Sequence, residues 1–521
     1  MRDQESKFSA IHLTGKTRAI LAIASGASLA LSFPNYGLSL LAWISVGLLV
    51  LASFQARPKV APLYGLLHAL VFYPMSLSWI AVVVRQYGNV PVWIAAGLML
   101  LIALAGGVLC AVFSWGVAFA SGRNALLAWA LAPDLWVALE FARAHLPIFA
   151  FPWNLIGYAA SGNLAFVQLT TVTGIYGLSY IVAAFGCLVA CAILARRQRL
   201  WKVVISTAAV LVLIAIGGRR LVPSETPRFV AHLVQTNFAQ SYSYPDNWME
   251  QHSADLDQLE QISVAAARRT PGLVVWPESP APFTLQDPDF GARARRIAQQ
   301  SGSDFLVGAE DWKRDAAGKW IATNSAILLN PAGERIFTYD KIHLVPFGEY
   351  VPLRRWLGFA GKLTADLSDF TPGTRYVVGS LPEGRFGAFI CFEAVFPDAV
   401  RRFTANGAEL LINISNDGWF GRSAAPAQHL MMARVRAVEN RRWLLRDTNN
   451  GYTVSVDPYG RMVAWLATDL RAELDAPYDF RQHLTLYARF GDWWAWLCVV
   501  ASVALIVLAL LARTRPTGPR T

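Results

Sequence analysis

The sequence predicts an α-helical polytopic membrane domain of about eight spans together with one water-exposed α/β domain. Composition is the first reason: 55% of the 521 residues are hydrophobic and 16% are charged, whereas soluble proteins have about 25% charged residues. The second is distribution, because apolar residues crowd into 17–217 and 491–512, while 220–490 has the composition of a soluble domain. The third is that the apolar runs within 220–490 are short and closed by turn residues, as buried strands are.

Eight segments are candidates for helices that cross the hydrocarbon core, which takes about 20 residues. They are 17–33, 36–54, 60–83, 90–120, 124–145, 164–195, 200–217 and 491–512. The first follows a charged stretch without a small-residue cleavage site, so we expect a retained span and not a signal peptide. The chain then divides into a membrane domain of seven spans (1–219), an outer domain (220–490) and an eighth helix with a tail (491–521).

Lysine and arginine are distributed unevenly among the loops. Most of those near span ends lie in one set of loops and the two termini: Arg2, Lys7, Lys16, Arg18, Arg57, Lys59, Arg123, Arg196, Arg197, Arg199, Lys202, Arg513, Arg515 and Arg520. By the positive-inside rule this set is cytoplasmic, and residues 220–490 lie on the outer side. The net charge of +11 then reflects topology and contact with anionic lipid, and it requires no nucleic acid partner.

The apolar runs of the outer domain, such as 229–235 and 305–308, alternate in part with helical patterns, such as 248–269. Continuous apolar strands indicate sheets that are covered on both faces. The expected fold of this part is therefore a layered α/β domain. Residues 353–373 interrupt the pattern with mixed basic and large apolar groups. Contact with lipid headgroups and a lid packed on its own domain are equally open for this loop.

Cys391 is the only thiol in the polar part of the chain. The other four cysteines lie in apolar segments: Cys110, Cys187, Cys191 and Cys498. In an oxidising outer compartment an unpaired thiol has no disulfide role. A lone cysteine at the end of a strand is usually a small buried core residue, so its position alone leaves structural and nucleophilic roles open.

Three apolar runs of the outer domain each end at a reactive side chain, namely Glu278, Lys341 and Cys391. Active sites of layered α/β folds gather at the carboxyl ends of neighbouring strands. Singly, such charged residues are usually solvated. Together they supply a base that generates a thiolate and a cation that stabilises an oxyanion. Glu349, eight residues after the lysine, is positioned to orient that lysine or an incoming amine.

Three blocks resemble the signature blocks of the nitrilase, or carbon–nitrogen hydrolase, superfamily: WPE at 276–278, YDKIHLVPFGEYVP at 339–352 and ICFE at 390–393. With spans on both sides, the whole chain resembles the bacterial apolipoprotein N-acyltransferases. That resemblance extends to FPW at 151–153 and NDGWF at 416–420. It implies an αββα sandwich on an eight-span membrane body.

The same resemblance implies roles for particular residues. Glu278 is the general base and acid, Lys341 stabilises the oxyanion and Cys391 is the nucleophile. Four more residues fall at positions important for the site: Glu349, Phe392, Glu393 and Trp419. Phe392 departs from the tyrosine of many relatives, which puts any role of that hydroxyl in doubt.

The implied reaction moves an acyl chain from a phospholipid, typically phosphatidylethanolamine, through a Cys391 thioester to the α-amino group of a lipoprotein's diacylglyceryl-cysteine. This last step of lipoprotein maturation would occur at the periplasmic side of the bacterial inner membrane, with both termini cytoplasmic. The expected partners are the phospholipid donor, the diacylated apolipoprotein and the bilayer. We expect no nucleic acid partner, no metal and no cofactor.

Two alternative functions remain open. A membrane-tethered amidase or nitrilase-like hydrolase would use the same three residues and pass the acyl group to water. A transporter or assembly scaffold is disfavoured, because most spans have no ionisable residue in the middle.

Two further polar sites are interpreted as structural. Glu140 and Arg143 are three residues apart, and this spacing favours a structural ion pair between them. For His343 we favour a structural hydrogen-bonding role over catalysis.

Overall fold

The computed structural model describes residues 13–146, 150–194, 198–241, 244–282, 284–350 and 370–512, with only the backbone described at 198–204. The chain forms two compact units. The first comprises Met1–Ala81, Pro91–Val222 and Asp492–Thr521, and the second comprises Val82–Val90 and Pro223–Gly491. Most of the predicted loop at 353–373 therefore falls outside the described residues, as does the tail beyond residue 512.

The first unit is built of helices. In chain order they are α1 (Gly15–Leu31), α2 (Ala42–Ser53), α3 (Ala61–Ser76), α4 (Ser78–Gln86), α5 (Val92–Ser121), α6 (Ala125–His145), α7 (Ile156–Ala160), α8 (Leu164–Val167), α9 (Thr170–Leu194) and α10 (Gln198–Arg220). The end of α4 belongs to the second unit. Gly174, with a φ of +63°, kinks α9 near its start, so the predicted span at 164–195 is two helices and a bend.

The second unit is organised around two six-stranded sheets. The strands are β1 (Phe229–Gln235), β2 (Val274–Val275), β3 (Phe305–Arg314), β4 (Trp320–Leu329), β5 (Arg335–Asp340), β6 (Gly379–Leu381), β7 (Gly384–Ile390), β8 (Leu410–Ser415), β9 (Trp443–Thr448), β10 (Val454–Val456), β11 (Met462–Trp465) and β12 (Ala472–Tyr478). The strand orders are β12-β1-β2-β3-β4-β5 and β11-β10-β9-β8-β7-β6. Neighbouring strands are parallel in β1-β2-β3 and in β7-β8-β9, and each sheet ends in antiparallel strands.

Helices cover the outer faces of both sheets. They are α11 (Trp248–Gln251), α12 (Ser253–Arg269), α13 (Pro288–Ser301), α14 (Pro397–Ala405), α15 (Ala425–Asn440) and α16 (Leu486–Phe490). On β3, Phe305 and Val307 pack with residues of α12 and α13, whereas Leu306 packs in the core shared by the two sheets. This alternation buries both faces of the strand, and the predicted αββα sandwich is confirmed.

The chain returns to the first unit with α17 (Trp493–Leu511). Within the described residues, α5, α6, α9 and α17 are long and apolar enough to cross a membrane. Helices α3 and α4, bent by 50°, pass as one broken span. A shorter apolar helical stretch covers Ser39–Ser53. The eight predicted segments are all at least partly helical, but eight crossings remains a prediction.

Small residues allow the helices of the first unit to approach closely. A Cβ atom on Gly47 of α2 would lie 2.2 Å from the backbone oxygen of Gly186 on α9. A Cβ on Gly65 of α3 would lie 2.1 Å from the backbone oxygen of Cys110 on α5. Because apolar side chains gain little from leaving lipid, close backbone packing of this kind stabilises helix pairs in membranes.

Glu140 and Arg143 are both buried on α6 and bond to different groups. Glu140 Oε1 accepts a hydrogen bond from the Ile156 N–H at 2.7 Å. Arg143 donates to the Trp153 carbonyl at 3.0 Å and to the Tyr73 hydroxyl at 3.2 Å. The structure shows no ion pair between these two described residues, in contrast to the prediction. Each instead anchors the segment that leads into α7.

A buried histidine joins the first and last strands of the second unit. His232 on β1 lies with Nδ1 at 2.8 Å from Glu473 Oε1 and 3.0 Å from Asp475 Oδ1, while Nε2 lies 2.7 Å from the Thr270 carbonyl. A carbonyl and a carboxylate only accept, so both ring nitrogens donate and the ring is an imidazolium. Arg269 binds the same two carboxylates, and the group is an ion-pair network.

The pH dependence of stability tests this network. Burial opposes the charged ring, but the hydrogen bonds to Glu473 and Thr270 and the nearby negative charges raise the pKa of His232. A raised folded-state pKa adds stability that is full below the unfolded pKa of about 6.5 and is lost as pH rises through the folded value. The melting temperature of H232Q should therefore lie below that of the wild type at pH 6.

That difference should narrow as pH rises toward 9, and differential scanning fluorimetry of the purified protein measures it. H252Q is the matched control, since the contacts of His252 are with the Trp248 carbonyl and ring and with the Phe238 ring, and not with a carboxylate. A difference between H232Q and wild type that stays constant across this range would contradict the imidazolium assignment.

Candidate active site

Cys391 lies at a sharp bend directly after β7. Its φ of +49° is in the left-handed region, which residues other than glycine occupy at a cost. The chain then continues as a 3-10 turn over Cys391–Val395. The strand, the strained residue and the turn set the thiol at the carboxyl end of the sheet, where it is 7% exposed. The structure thus gives this residue a position that a core cysteine does not require.

Glu393 connects this bend to the segment that holds the lysine. Its Oε2 accepts from the Ile390 N–H at 2.8 Å. Its Oε1 accepts from the Ile342 N–H at 2.8 Å, the His343 N–H at 3.2 Å and the Tyr339 hydroxyl at 2.7 Å. Burial raises the pKa of this carboxyl despite these hydrogen bonds. Glu393 therefore positions two backbone segments of the site relative to each other.

Lys341 is buried between two carboxylates. It follows β5 and is 1% exposed, and its Nζ lies 3.0 Å from Glu278 Oε1 and 2.8 Å from Glu349 Oε1. Glu278 follows β2 and is 5% exposed. Asn324 on β4 donates from Nδ2 to the same two carboxylate atoms, at 2.7 and 2.8 Å. One cation and one amide thus hold both carboxylates together.

The protonation states follow from this arrangement. Burial disfavours the ammonium, but the carboxylates of Glu278 and Glu349 outweigh it and raise the pKa of Lys341 well above its usual value. Burial and then the negative charge of Glu278 raise the pKa of the Cys391 thiol, while Lys341 partly opposes them. The lysine is therefore charged and the thiol is protonated at neutral pH. Formation of the thiolate requires a base close to the sulfur.

The loop after β8 completes the surroundings of Glu278. The Asn416 N–H donates to Glu278 Oε2 at 2.9 Å. Gly418 lies two residues after Asn416, and its carbonyl accepts a hydrogen bond from the Tyr87 hydroxyl at 2.6 Å. The Tyr87 ring lies 5.1 Å from the ring of Trp419. Trp419 is half-buried. Trp419 belongs to the loop after β8, whose Asn416 N–H binds the Glu278 carboxylate.

Phe392 and His343 both pack on Phe396. The Phe392 ring meets it edge-on at 5.1 Å, and the His343 ring stacks on it at 4.3 Å. His343 Nε2 lies 3.2 Å from the Tyr376 hydroxyl. Burial and then the charge of Arg402 lower the pKa of His343 to about 4. This neutral, packed and hydrogen-bonded ring fits the structural role favoured from the sequence.

The structure brings together the three predicted residues from the ends of β2 and β5 in one sheet and of β7 in the other, and it adds residues that the sequence pattern missed. Asn324 directly precedes the apolar run at 325–329, and its polarity within a strand was an available signal. His429 lies on α15 among apolar residues and offered no such signal. Its side-chain partners are Asp417 and Arg446.

Two family models together match most of the chain. One described as apolipoprotein N-acyltransferase N-terminal domain matches residues 25–188, and one described as carbon-nitrogen hydrolase matches residues 233–473. The apolipoprotein N-acyltransferase of Geobacter metallireducens is 36% identical over 94% of this chain and 95% of its own length. The chain belongs to the apolipoprotein N-acyltransferase family.

Other relatives with the same name agree. Those of Azotobacter vinelandii and Methylococcus capsulatus are 34% and 32% identical, over 95% and 91% of this chain and 95% and 92% of their own lengths. The resemblance inferred from the sequence blocks is confirmed for both the membrane half and the α/β half. A solved amidase of the nitrilase superfamily from Nesterenkonia AN1 is 20% identical over 50% of this chain and 94% of its own, with a TM-score of 0.36 that is too low to support a conclusion.

The shared contacts of Asn324 lead to a test. N324L removes the amide that donates to Glu278 and Glu349, at nearly constant volume. Hydrogen bonds to charged groups contribute about 1.5–3 kcal/mol. Without them the two carboxylates should separate, and Glu278 should no longer be held close to the thiol as its base. We expect alkylation of Cys391 by iodoacetamide at pH 7.5 to slow by roughly tenfold or more.

The rate is measured by peptide mass spectrometry of Cys391. N247L, at an exposed asparagine before α11, is the control and should alkylate like the wild type. An N324L variant that melts normally and alkylates at the wild-type rate would show that Asn324 does not organise the carboxylates.

Proposed function

We propose that this chain transfers a fatty acyl group from a phospholipid to the α-amino group of the diacylglyceryl-cysteine of an apolipoprotein, through a thioester on Cys391. The observation that carries the proposal is the buried Glu278–Lys341–Glu349 arrangement beside a strained, protonated thiol, in a chain of this family. Phosphatidylethanolamine is the proposed donor. No metal and no cofactor are required for these steps.

The first half-reaction acylates the enzyme. Glu278 takes the proton of the Cys391 thiol, and the thiolate attacks the carbonyl carbon of the phospholipid ester. Lys341 donates to the oxyanion of the tetrahedral intermediate. The carbon–oxygen bond of the ester then breaks, and Glu278 returns the proton to the departing oxygen of the lysophospholipid. A lysine kept charged by its two carboxylates and a thiol kept protonated mainly by burial support this sequence of steps.

The second half-reaction transfers the acyl group. The neutral α-amino group of the apolipoprotein attacks the thioester carbonyl, and Glu278 accepts a proton from that nitrogen. The carbon–sulfur bond breaks, an amide forms, and the proton returns to the sulfur to restore the thiol. Glu349 is proposed to hold Lys341 through both steps, with Glu393, Phe392 and Trp419 as supporting residues around the site.

Membrane localisation is supported by four helices long and apolar enough to span. The finer proposal is the bacterial inner membrane, with the α/β domain on the periplasmic side and both termini cytoplasmic. Its support is the distribution of lysine and arginine among the loops. Both proposed substrates are lipid-anchored, so an enzyme in the same membrane meets them without extracting either into water.

A hydrolase that passes the acyl group to water is not favoured. The three reactive residues serve either acceptor, because water and an amine attack the same thioester. Family membership over the whole length favours transfer to an amine. Phospholipid carrying a tritiated acyl chain and a diacylated lipopeptide separate the two: label should appear in the lipopeptide, and label found only in free fatty acid would exclude the acyltransferase.

Cys391→Ala removes the proposed acyl carrier. We expect the intact mass of the purified wild type to increase by one acyl group after incubation with phospholipid, and the variant to show no increase. Label transfer to the lipopeptide should fall on the order of 10³-fold or more, as for loss of other catalytic nucleophiles. Cys187→Ala, at a buried thiol of α9, is the matched control. Acyl mass retained in Cys391→Ala would refute the assignment.

Glu278→Gln removes the proposed base at constant size. The variant should form the acyl-enzyme about 10²–10⁴-fold more slowly, the usual contribution of general base catalysis. Single-turnover mass spectrometry gives that rate, and Glu250→Gln, on the exposed side of α11, is the control. Normal acylation with only the transfer to amine lost would assign the first proton transfer to another group.

A further inference from the structure

A second buried polar network lies behind Cys391, on the side of the peptide backbone. His429 on α15 has 0% exposure, and its Nε2 is 3.0 Å from the carbonyl oxygen of Cys391. Its Nδ1 is 3.2 Å from Asp417 Oδ1 and 3.1 Å from Arg446 Nη2. Arg446, on β9, also donates to Asp417 at 2.9 and 2.8 Å. This network contacts the backbone of Cys391, whereas the charges of Glu278 and Lys341 act on its thiol.

The hydrogen-bond pattern defines the protonation of the ring. Burial and then the charge of Arg446 lower the pKa of His429. Burial opposes the ionised form of Asp417, but the pKa of that carboxyl lies well below its usual value, and the charge of Arg446 is the largest cause. The imidazole is thus neutral and has one N–H. A carbonyl only accepts, so Nε2 donates to Cys391 and Nδ1 accepts from Arg446.

The same network reaches the base. Asp417 follows Asn416, whose N–H donates to Glu278 at 2.9 Å. The Ser415 hydroxyl donates to Asp417 Oδ1 at 2.9 Å. A continuous set of contacts therefore connects the Cys391 carbonyl, through His429 and Asp417, to the backbone that binds Glu278.

We propose that His429 is a positioning residue whose Nε2–H fixes the carbonyl of Cys391, and so the direction of its thiol, while Asp417 and Arg446 hold the ring in the donating tautomer. The left-handed backbone of Cys391 needs such a constraint, because that conformation persists only where its surroundings determine it. His429 contacts the backbone and not the reacting atoms. This inference rests on the proposed role of Cys391 as nucleophile.

The test compares two amides at position 429. The Gln side chain in H429Q presents an N–H near the position of Nε2, and the shorter Asn side chain in H429N reaches only the position of Nδ1. Both are neutral and polar. We expect H429N to lower the rate of acyl-enzyme formation at saturating phosphatidylethanolamine by about 10–100-fold, with the half-saturating donor concentration unchanged, and H429Q to stay within about threefold of the wild type.

Alkylation of Cys391 by iodoacetamide is a second readout that needs no lipid. H429N should alkylate about tenfold more slowly than the wild type, and H429Q should match it. Failure of wild-type acylation would refute the proposed function, whereas alkylation would still decide the role of His429. Melting temperatures identify any variant that is simply unstable.

Three outcomes would overturn the inference. The first is wild-type acylation and alkylation in a folded H429N variant. The second is a folded H429Q variant as impaired as H429N, which would mean that the imidazole acts by something other than N–H donation. The third is a pH–rate profile of H429Q displaced from that of the wild type, which would indicate proton transfer through His429. If H429N does not fold, H429Q alone still decides between donation and proton transfer.

Discussion

The buried ammonium of Lys341 is the interaction on which the site depends. It lies between Glu278 and Glu349, and removal of one member of such a group leaves an uncompensated buried charge. The three side chains come from segments after β2 and β5, which run in the same direction in one sheet, so the carboxyl ends of both strands lie at the same edge. Because the ammonium lies against both carboxylates, its positive charge offsets their negative charge in a site with little access to water.

Backbone contacts hold the bend at Cys391 on both sides along the chain. Glu393 accepts from the Ile390 N–H on one side, and His429 lies against the Cys391 carbonyl on the other. The first contact also reaches the lysine segment, and the second reaches the loop that holds Glu278 through Asp417. The position of the Cys391 backbone relative to Lys341 and Glu278 is thus determined by these contacts. Such preorganisation lowers the entropic cost of reaching a transition state.

Much of the fold follows from periodicity, because long apolar helices and continuous apolar strands have patterns that depend on local sequence. Glu278, Lys341 and Cys391 were predictable for the same reason, since each directly follows an apolar run. The polarity of Asn324 within a strand was a signal, but its contacts, like those of His429, arise only when β4 and α15 pack against other elements. The prediction of an ion pair between Glu140 and Arg143 was wrong for the same reason. Their spacing on α6 can be read from the sequence, but both have partners in a later segment of the chain. Whether eight segments cross the membrane depends on surroundings that helix length alone does not determine.

The pairing of the first strand with the last has a consequence for biosynthesis. Phe229 of β1 lies opposite Tyr478 of β12, and His232 lies opposite Asp475. Contacts between residues so far apart in sequence make folding slow. During synthesis, β1 has no antiparallel neighbour until nearly the whole α/β domain has been made, so its edge stays open to wrong partners. Helix α17 begins soon after β12 in the chain, so closure of the sheet and insertion of the final helix fall within the same short interval of synthesis.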